Sequence, residues 1–270
     1  MLNTAHSQKT IIPFFKYQGA GNDFIIVDNR NQKYNTLSTK TIAMLCDRRF
    51  GIGADGFMLL QSHPEYDFEM RYFNADGKPG SMCGNGGRCI VAFAKYLGVI
   101  DSQTEFLAVD GPHFAKISAE GNQVDLQMID VDFIKKDGNA FVLNTGSPHY
   151  VEQVTELETL DVYRKGKAIR NNDTYKELGI NVNFIEDKGD YLFVRTFERG
   201  VEEETYACGT GVTAVALSMA QHTGKSGHLS TPIKVLGGDL RIEFDYDGYK
   251  FSNIFLCGPA EQVFSGEINV

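Results

Sequence analysis

The chain carries the same short phrase twice. Cys83-Gly84-Asn85-Gly86-Gly87-Arg88 runs into the apolar stretch 89–94, and Cys208-Gly209-Thr210-Gly211-Val212-Thr213 runs into the apolar stretch 214–219. Each copy is a cysteine, a Gly-x-Gly turn and then helix-forming apolar residues. The repeat is far longer than a solenoid period, so it means domain duplication. Two equivalent halves, each with a cysteine at a helix start, leave few folds open.

The surrounding pattern repeats as well. Residues 14–17 and 24–28 read as strands joined by the glycine-rich turn 19–23. Ser38 caps an expected helix running to Arg48. Residues 55–61 read as a strand, and 66–72 alternate apolar and charged positions as a half-buried strand does. The turn-rich stretch 74–81 delivers the chain to Cys83, and the helix that follows is expected to end at Gly98. A second round begins near Met128. It contains the turn 144–149, helical composition over 156–171, strands at 181–185 and 191–197, and the second cysteine helix. Strand signals close the chain at 233–236, 240–246 and 251–256. Asn22-Asp23-Phe24-Ile25 also echoes Asn183-Phe184-Ile185. Many short strands with one cysteine helix per half predict an α+β fold, with a curved sheet wrapped around that helix in each half.

Composition excludes several function classes. At 270 residues the chain suits two domains. A net charge of -9 and no long basic run argue against nucleic-acid binding. Residues 1–10 lack the apolar core of a signal peptide, and no apolar run is long enough to span a membrane. A cytoplasmic protein is therefore expected. The five cysteines are odd in number, irregular in spacing and free of any CxxC pair. Neither a disulfide framework nor a structural zinc site is expected.

A cysteine before Gly-x-Gly has specific chemistry. A helix start leaves backbone N–H groups unpaired and carries the positive end of the macrodipole. A thiolate there is favoured, so the thiol pKa is expected to fall. Glycines let N–H groups approach an anion closely. Two such sites aimed inward would grip a carboxylate from both sides. They would also supply an acid and a base on opposite faces of an α-carbon, as inversion of an amino acid requires. The competing reading, that both cysteines are incidental caps, leaves their duplication unexplained.

With these residues in view, the chain resembles the diaminopimelate epimerases, amino-acid epimerases that do not use pyridoxal phosphate. The resemblance runs over nearly the whole length. It is carried by Gly19-Ala20-Gly21-Asn22-Asp23-Phe24, Gly51-Ile52-Gly53-Ala54-Asp55-Gly56, Phe73-Asn74-Ala75-Asp76-Gly77, Met82 to Cys89, Gly146-Ser147-Pro148-His149, Asn181-Val182-Asn183-Phe184, Glu198-Arg199-Gly200 and Ala207 to Gly211. It implies interconversion of LL- and meso-2,6-diaminopimelate, toward lysine and peptidoglycan precursors, with no cofactor and no metal. It implies two pseudo-symmetric domains, each a mostly antiparallel, barrel-like sheet around a central helix, with the active site in the cleft between them. The last strand would return to the first domain, giving 1–127 plus 261–270 and 128–260 as the expected domains.

Carried over by motif, the resemblance makes Cys83 and Cys208 the catalytic pair. His149 and Glu198 become supporting acid/base partners, able to take a thiol proton. Asn22, Asn74, Asn181 and Arg199 would hold the distal amino-acid end of the substrate; a guanidinium suits a carboxylate and side-chain amides suit a zwitterion. Gly84, Asn85, Gly209 and Thr210 would offer N–H groups to the reacting carboxylate. A homodimer is a family-level expectation. Three departures stand out: the segment from Glu198 to Cys208 is one residue longer than the common family form, Ser147 stands where some members have asparagine, and Gly56 where some have glutamine. A proline racemase-like enzyme shares the two-cysteine logic, but Asn85 fills the position where such enzymes have histidine. A phenazine-biosynthesis-like isomerase shares the architecture without the paired cysteines, and a non-catalytic amino-acid-binding protein would need no proton donors.

Overall fold

The computed structural model describes residues 10–270. In the first half, β1 (Ile11–Gly19) and β2 (Asn22–Asp28) form a hairpin, and α1 (Thr39–Cys46) crosses to β3 (Gly56–Gln61). Then β4 (Phe68–Asn74) leads into α2 (Gly84–Tyr96), followed by β5 (Gln103–Ala108), β6 (Gly111–Ile117) and β7 (Gln123–Gln127). In the second half, β8 (Lys135–Asp137) and β9 (Ala140–Asn144) precede β10 (Pro148–Gln153), and α3 (Val162–Arg170) crosses to β11 (Asn181–Asp187). Strands β12 (Leu192–Glu198) and β13 (Glu203–Thr205) lead into α4 (Gly209–Thr223). After it come β14 (Gly227–Val235), β15 (Gly238–Tyr246), β16 (Phe251–Pro259) and β17 (Glu261–Asn269).

The duplication is written in the strand pairing. Along the first half the neighbours β1–β2, β2–β3, β3–β4, β4–β5, β5–β6 and β6–β7 pair antiparallel, parallel, antiparallel, parallel, antiparallel and antiparallel. Along the second, β9–β10, β10–β11, β11–β12, β12–β14, β14–β15 and β15–β16 repeat that order without exception. A parallel pair needs a crossover connection; α1 and α2 bridge those of the first half, α3 and α4 those of the second. The halves join where β7 pairs with β16, with Leu126 opposite Leu256. The last strand, β17, returns to the first half and pairs antiparallel with β1. All the strands belong to one curled sheet.

This topology corrects one sequence reading. Asn22 to Ile25 lie on β2, whose counterpart is β10, whereas Asn183 to Ile185 lie on β11, the counterpart of β3. The echo between the two segments is out of step by one strand. The true register sets Phe24 against His149, Gly56 against Asn181 and Met58 against Asn183. Shared strand propensity had imitated homology.

Each half wraps its sheet around one helix that is buried on nearly every side. Residues 84–94 of α2 are all buried, and α4 is buried at Gly209 and from Gly211 to Ala220. A helix apolar all round belongs inside a protein. The outer helices α1 and α3 each cover a separate apolar cluster on the other face of the sheet. Ser38 caps α1 by accepting from the Thr41 N–H. The helical composition of 156–171 resolves into a 3-10 turn, Leu157–Thr159, and then α3, because Asp161 accepts from the Arg164 N–H and starts a new helix. Gly98, at φ +67°, stands just beyond α2. Among the described residues no helix is long and apolar enough to cross a membrane.

The central helices meet start to start. A Cβ on Gly209 would lie 3.5 Å from the Gly84 Cα, and a Cβ on either glycine would lie 2.8 Å from Leu256 Cδ2. Glycine at both positions leaves Leu256 room to pack over the two helix starts. A second contact clasps the halves. Ala20, at φ +53°, leaves the β1–β2 turn and enters the apolar core around α4. Its carbonyl oxygen would lie 1.7 Å from a Cβ on Gly237.

Leu256 therefore bears on both helix starts at once. Replacing it with alanine removes buried methyl groups where the surrounding backbone cannot collapse, at an expected cost of about 3 kcal/mol. Urea unfolding of Leu256→Ala measures this, and a change within about 0.5 kcal/mol would show that the helix starts do not depend on it.

Candidate active site

Cys83 and Cys208 occupy the same backbone position in their two halves. Cys83 precedes α2 with φ -116° and ψ 127°, and Cys208 precedes α4 with φ -114° and ψ 108°. Neither side chain caps its own helix. Both cysteines are free thiols. The N–H groups of Gly86 and Asn85 point at the Cys83 sulfur, and that of Gly211 at the Cys208 sulfur. The sulfurs are close enough for charge on Cys83 to raise the pKa of Cys208.

The helix starts do not lower these thiol pKa values, contrary to the sequence expectation. Burial pushes Cys83 up, outweighing its N–H contacts, and the Glu198 carboxylate adds to the rise. Burial pushes Cys208 well up, and Glu198 raises it further. Dehydration of a thiolate in a closed site costs more than half a dipole charge returns.

Glu198, at the end of β12, lies close enough to Cys208 for its charge to act on that thiol. Burial pushes its carboxyl pKa up, against the pull of its hydrogen bonds. The Thr205 hydroxyl donates to its Oε1 at 2.5 Å. Between Glu198 and Cys208 the chain turns at Gly200 and Glu202, both at positive φ. Strand β13 then folds back onto β12, so Thr205 returns to Glu198. His149, at the start of β10, makes no hydrogen bond to either sulfur; its Nε2 lies 2.9 Å from the Thr210 Oγ1, which lies 3.6 Å from the Cys208 Sγ.

The remaining candidates sort onto the two halves. Asn22 donates from Nδ2 to Asp55 at 2.5 Å and turns its Oδ1 to the Cys83 sulfur at 3.6 Å. Asn85 donates from the first half to the carbonyl of Ala207 in the second at 3.1 Å. Asn74 ends β4, opposite Gly56. In the second half, Asn181 donates to the Ser147 hydroxyl and accepts from the Arg199 N–H, each at 2.9 Å. The Arg199 guanidinium donates to the Ser147 hydroxyl at 3.2 Å and to the carbonyl of Leu178 at 3.0 Å. Among the described residues it has no carboxylate partner.

Two thiols at the same backbone position in two equivalent halves, near enough for the charge of one to act on the other, match what comparison with other proteins finds. Residues 14–134 and 141–263 match the model of the family described as diaminopimelate epimerase. The chain belongs to the diaminopimelate epimerase family. A diaminopimelate epimerase from Flavobacterium psychrophilum is 49% identical over 94% of this chain and 99% of its own length. One from Chlorobaculum tepidum is 43% identical over 93% and 99%. Among solved structures, a phenazine biosynthesis protein of the PhzF family from Bacillus anthracis superposes with a TM-score of 0.77 at 15% identity, covering 97% of this chain and 100% of that one. A hydroxyproline epimerase from Agrobacterium vitis superposes at 0.68 with 12% identity, over 96% and 93%. These two show the shared fold alone.

Sequence reasoning passed over several residues that build this member of the family. Asp55 holds Asn22, and Arg48 holds Asp55 and Asp23 together. Arg88 is fully buried and donates to Asn85 Oδ1 at 2.9 Å, so it sets the direction in which Asn85 points. Asn183 backs His149 at 3.1 Å. Arg88 and Asn183 both stood inside the quoted motifs, but as helix and strand residues they carried no separate signal. Gly56 has a structural reason: a Cβ there would lie 2.4 Å from the Tyr72 ring, so Tyr72 fills the space that a larger residue at position 56 would need.

His149 also makes stability depend on pH. Burial, reinforced by the Arg199 charge, pushes its pKa down to about 3, against about 6.5 in an unfolded chain. Between those values the unfolded state binds a proton that the folded state does not. The stabilisation is present above about pH 6.5 and is lost as the pH falls toward 3, by up to about 1.4 kcal/mol per pH unit. Denaturant melts from pH 7 to 4 should show a shallower loss in His149→Gln than in the parent. Parallel slopes would contradict a buried neutral imidazole.

Proposed function

We propose that this protein is a cofactor-independent epimerase that interconverts LL-2,6-diaminopimelate and meso-2,6-diaminopimelate, serving lysine and peptidoglycan precursor synthesis. The observation that carries the proposal is the meeting of two helix starts at Gly84 and Gly209, each with a cysteine at the same backbone position. One sulfur, as thiolate, takes the α-proton from one face. The electron pair left on the α-carbon spreads into the carboxylate. The other sulfur, as thiol, returns a proton to the opposite face. Cys83 and Cys208 are the two groups proposed for this exchange.

The N–H groups of Gly84, Asn85, Gly209 and Thr210 would stabilise charge developing on the reacting carboxylate; one such donor is worth about 3 kcal/mol in comparable sites. Glu198 is the proposed acceptor of a thiol proton from Cys208, and His149 acts on the same sulfur through Thr210. Asn22, Asn74, Asn181 and Arg199 are proposed to bind the distal amino-acid end. Ser147, already bonded to both Asn181 and Arg199, joins them there. Assignment of 1–127 plus 261–270 and of 128–260 as the domains follows the pairing of β17 with β1 and of β7 with β16. A cytoplasmic location and a homodimer are proposed on family grounds. A proline racemase-like activity is disfavoured because such a substrate gives Arg199 no distal carboxylate to hold.

Incubation with LL-diaminopimelate in heavy water tests the reading. The α-proton signal should exchange and the meso isomer should accumulate. Cys83→Ala and Cys208→Ala should each lower turnover by about a thousandfold. Folded protein that neither exchanges the α-proton nor forms the meso isomer would reject the assignment, as would full turnover in either variant.

A further inference from the structure

The two halves differ at the sulfurs more than their backbones do. In the first half, the space beneath the Gly-x-Gly turn is apolar: a Cβ on Gly86 would face Met58, Met70 and Phe24. In the second half, a Cβ on Gly211 would lie 2.4 Å from Asn183 Oδ1 and 3.3 Å from the Cys208 sulfur. Asn183 and His149 stand at the register positions of Met58 and Phe24. A polar row has replaced an apolar one on the Cys208 side alone.

The hydrogen bonds of that row have a fixed direction. Asn183 Nδ2 lies 3.0 Å from the carbonyl of Tyr150, which can only accept. That orients the amide. Its second N–H then points at His149 Nδ1 at 3.1 Å, and its Oδ1 accepts from the Thr196 hydroxyl at 2.9 Å. All three groups are buried. With Nδ1 accepting, a neutral imidazole carries its proton on Nε2. That N–H donates to the Thr210 Oγ1 at 2.9 Å and leaves the threonine hydrogen free to point at the Cys208 sulfur, 3.6 Å away.

We infer that Asn183 is a positioning residue that locks His149 as the neutral Nε2–H form, so that His149 is a hydrogen-bond donor to Thr210 and not a base for either thiol. Cys208 then has a donor on one side, Thr210, and a proton acceptor on the other, Glu198. The carboxylate takes the thiol proton, and the relay from Asn183 steadies the sulfur that is left. The charged groups facing the imidazole are Arg199, which disfavours a second proton, and, beyond Thr210, Glu198 and Cys208. The catalytic consequence rests on the epimerase reading. The state of the imidazole does not.

Long-range proton–nitrogen correlation spectra of the whole protein, labelled with 15N-histidine, read the ring directly. The His149 signals are assigned by their loss in His149→Gln. They should show one protonated nitrogen, Nε2, unchanged from pH 5.5 to 8.5. An Nδ1–H pattern, or titration within that range, overturns the inference without touching the proposed reaction. Asn183→Asp replaces the donor with an acceptor. It should move the ring to a form protonated at Nδ1, lower kcat at least tenfold with KM changed less than threefold, and shift the pH profile of kcat. An unchanged ring and an unmoved profile in folded Asn183→Asp also overturn it. If that variant does not fold, the spectrum of the parent protein decides.

Discussion

Everything in the site depends on one close approach. Two α-helices begin within van der Waals reach of each other, and the residues at the contact are Gly84 and Gly209, with Leu256 across both. A Cβ at either glycine would lie 2.8 Å from Leu256 Cδ2, so Leu256 would have to shift to make room for it. The contact also brings together the positive ends of two helix dipoles, an arrangement that favours negative charge between them. Such a junction is stable because it is small and is surrounded by two large apolar cores. The clasp of Ala20 against Gly237 ties the halves at a second point.

The electrostatics follow from burial more than from the helix dipole. Both thiols are pushed up, and Glu198 raises both because it is a negative charge near each. Burial favours the protonated form of both thiols and of the Glu198 carboxyl, and the charge on each group bears on its neighbours, so the three titrate as a coupled set. Substrate binding adds charge to that balance. The pseudo-symmetry of the backbone does not extend to this chemistry. Asn22 faces Cys83 with a carbonyl oxygen, whereas Thr210 faces Cys208 with a hydroxyl. Two sulfurs in equivalent backbone positions therefore have different neighbours, which suits a reaction whose two directions remove a proton from opposite faces.

Local signals in the sequence were strong where a residue acts on its own surroundings. Ser38 caps its helix through its own side chain. The alternation over β4 and the Gly-x-Gly turns marked a strand and two helix starts. The echo of Asn22 to Ile25 in Asn183 to Ile185 misled, because apolar strands resemble one another and only the pairing order shows which is which. Arg88 and Asp55 were passed over since their work is to hold other side chains: Asn85, one turn back on the same helix, and Asn22, on a different strand.

By itself the sequence determined the duplication, the cysteine at each helix start and the family, because these are properties of residues close together along the chain. It also determined which residue types stand ready near each sulfur. The tertiary structure decided that the two starts meet, that burial overrides the dipole at both thiols, and that His149 reaches Cys208 only through Thr210. Those outcomes depend on dehydration and on distances between residues far apart in the chain, and neither is encoded at any single position.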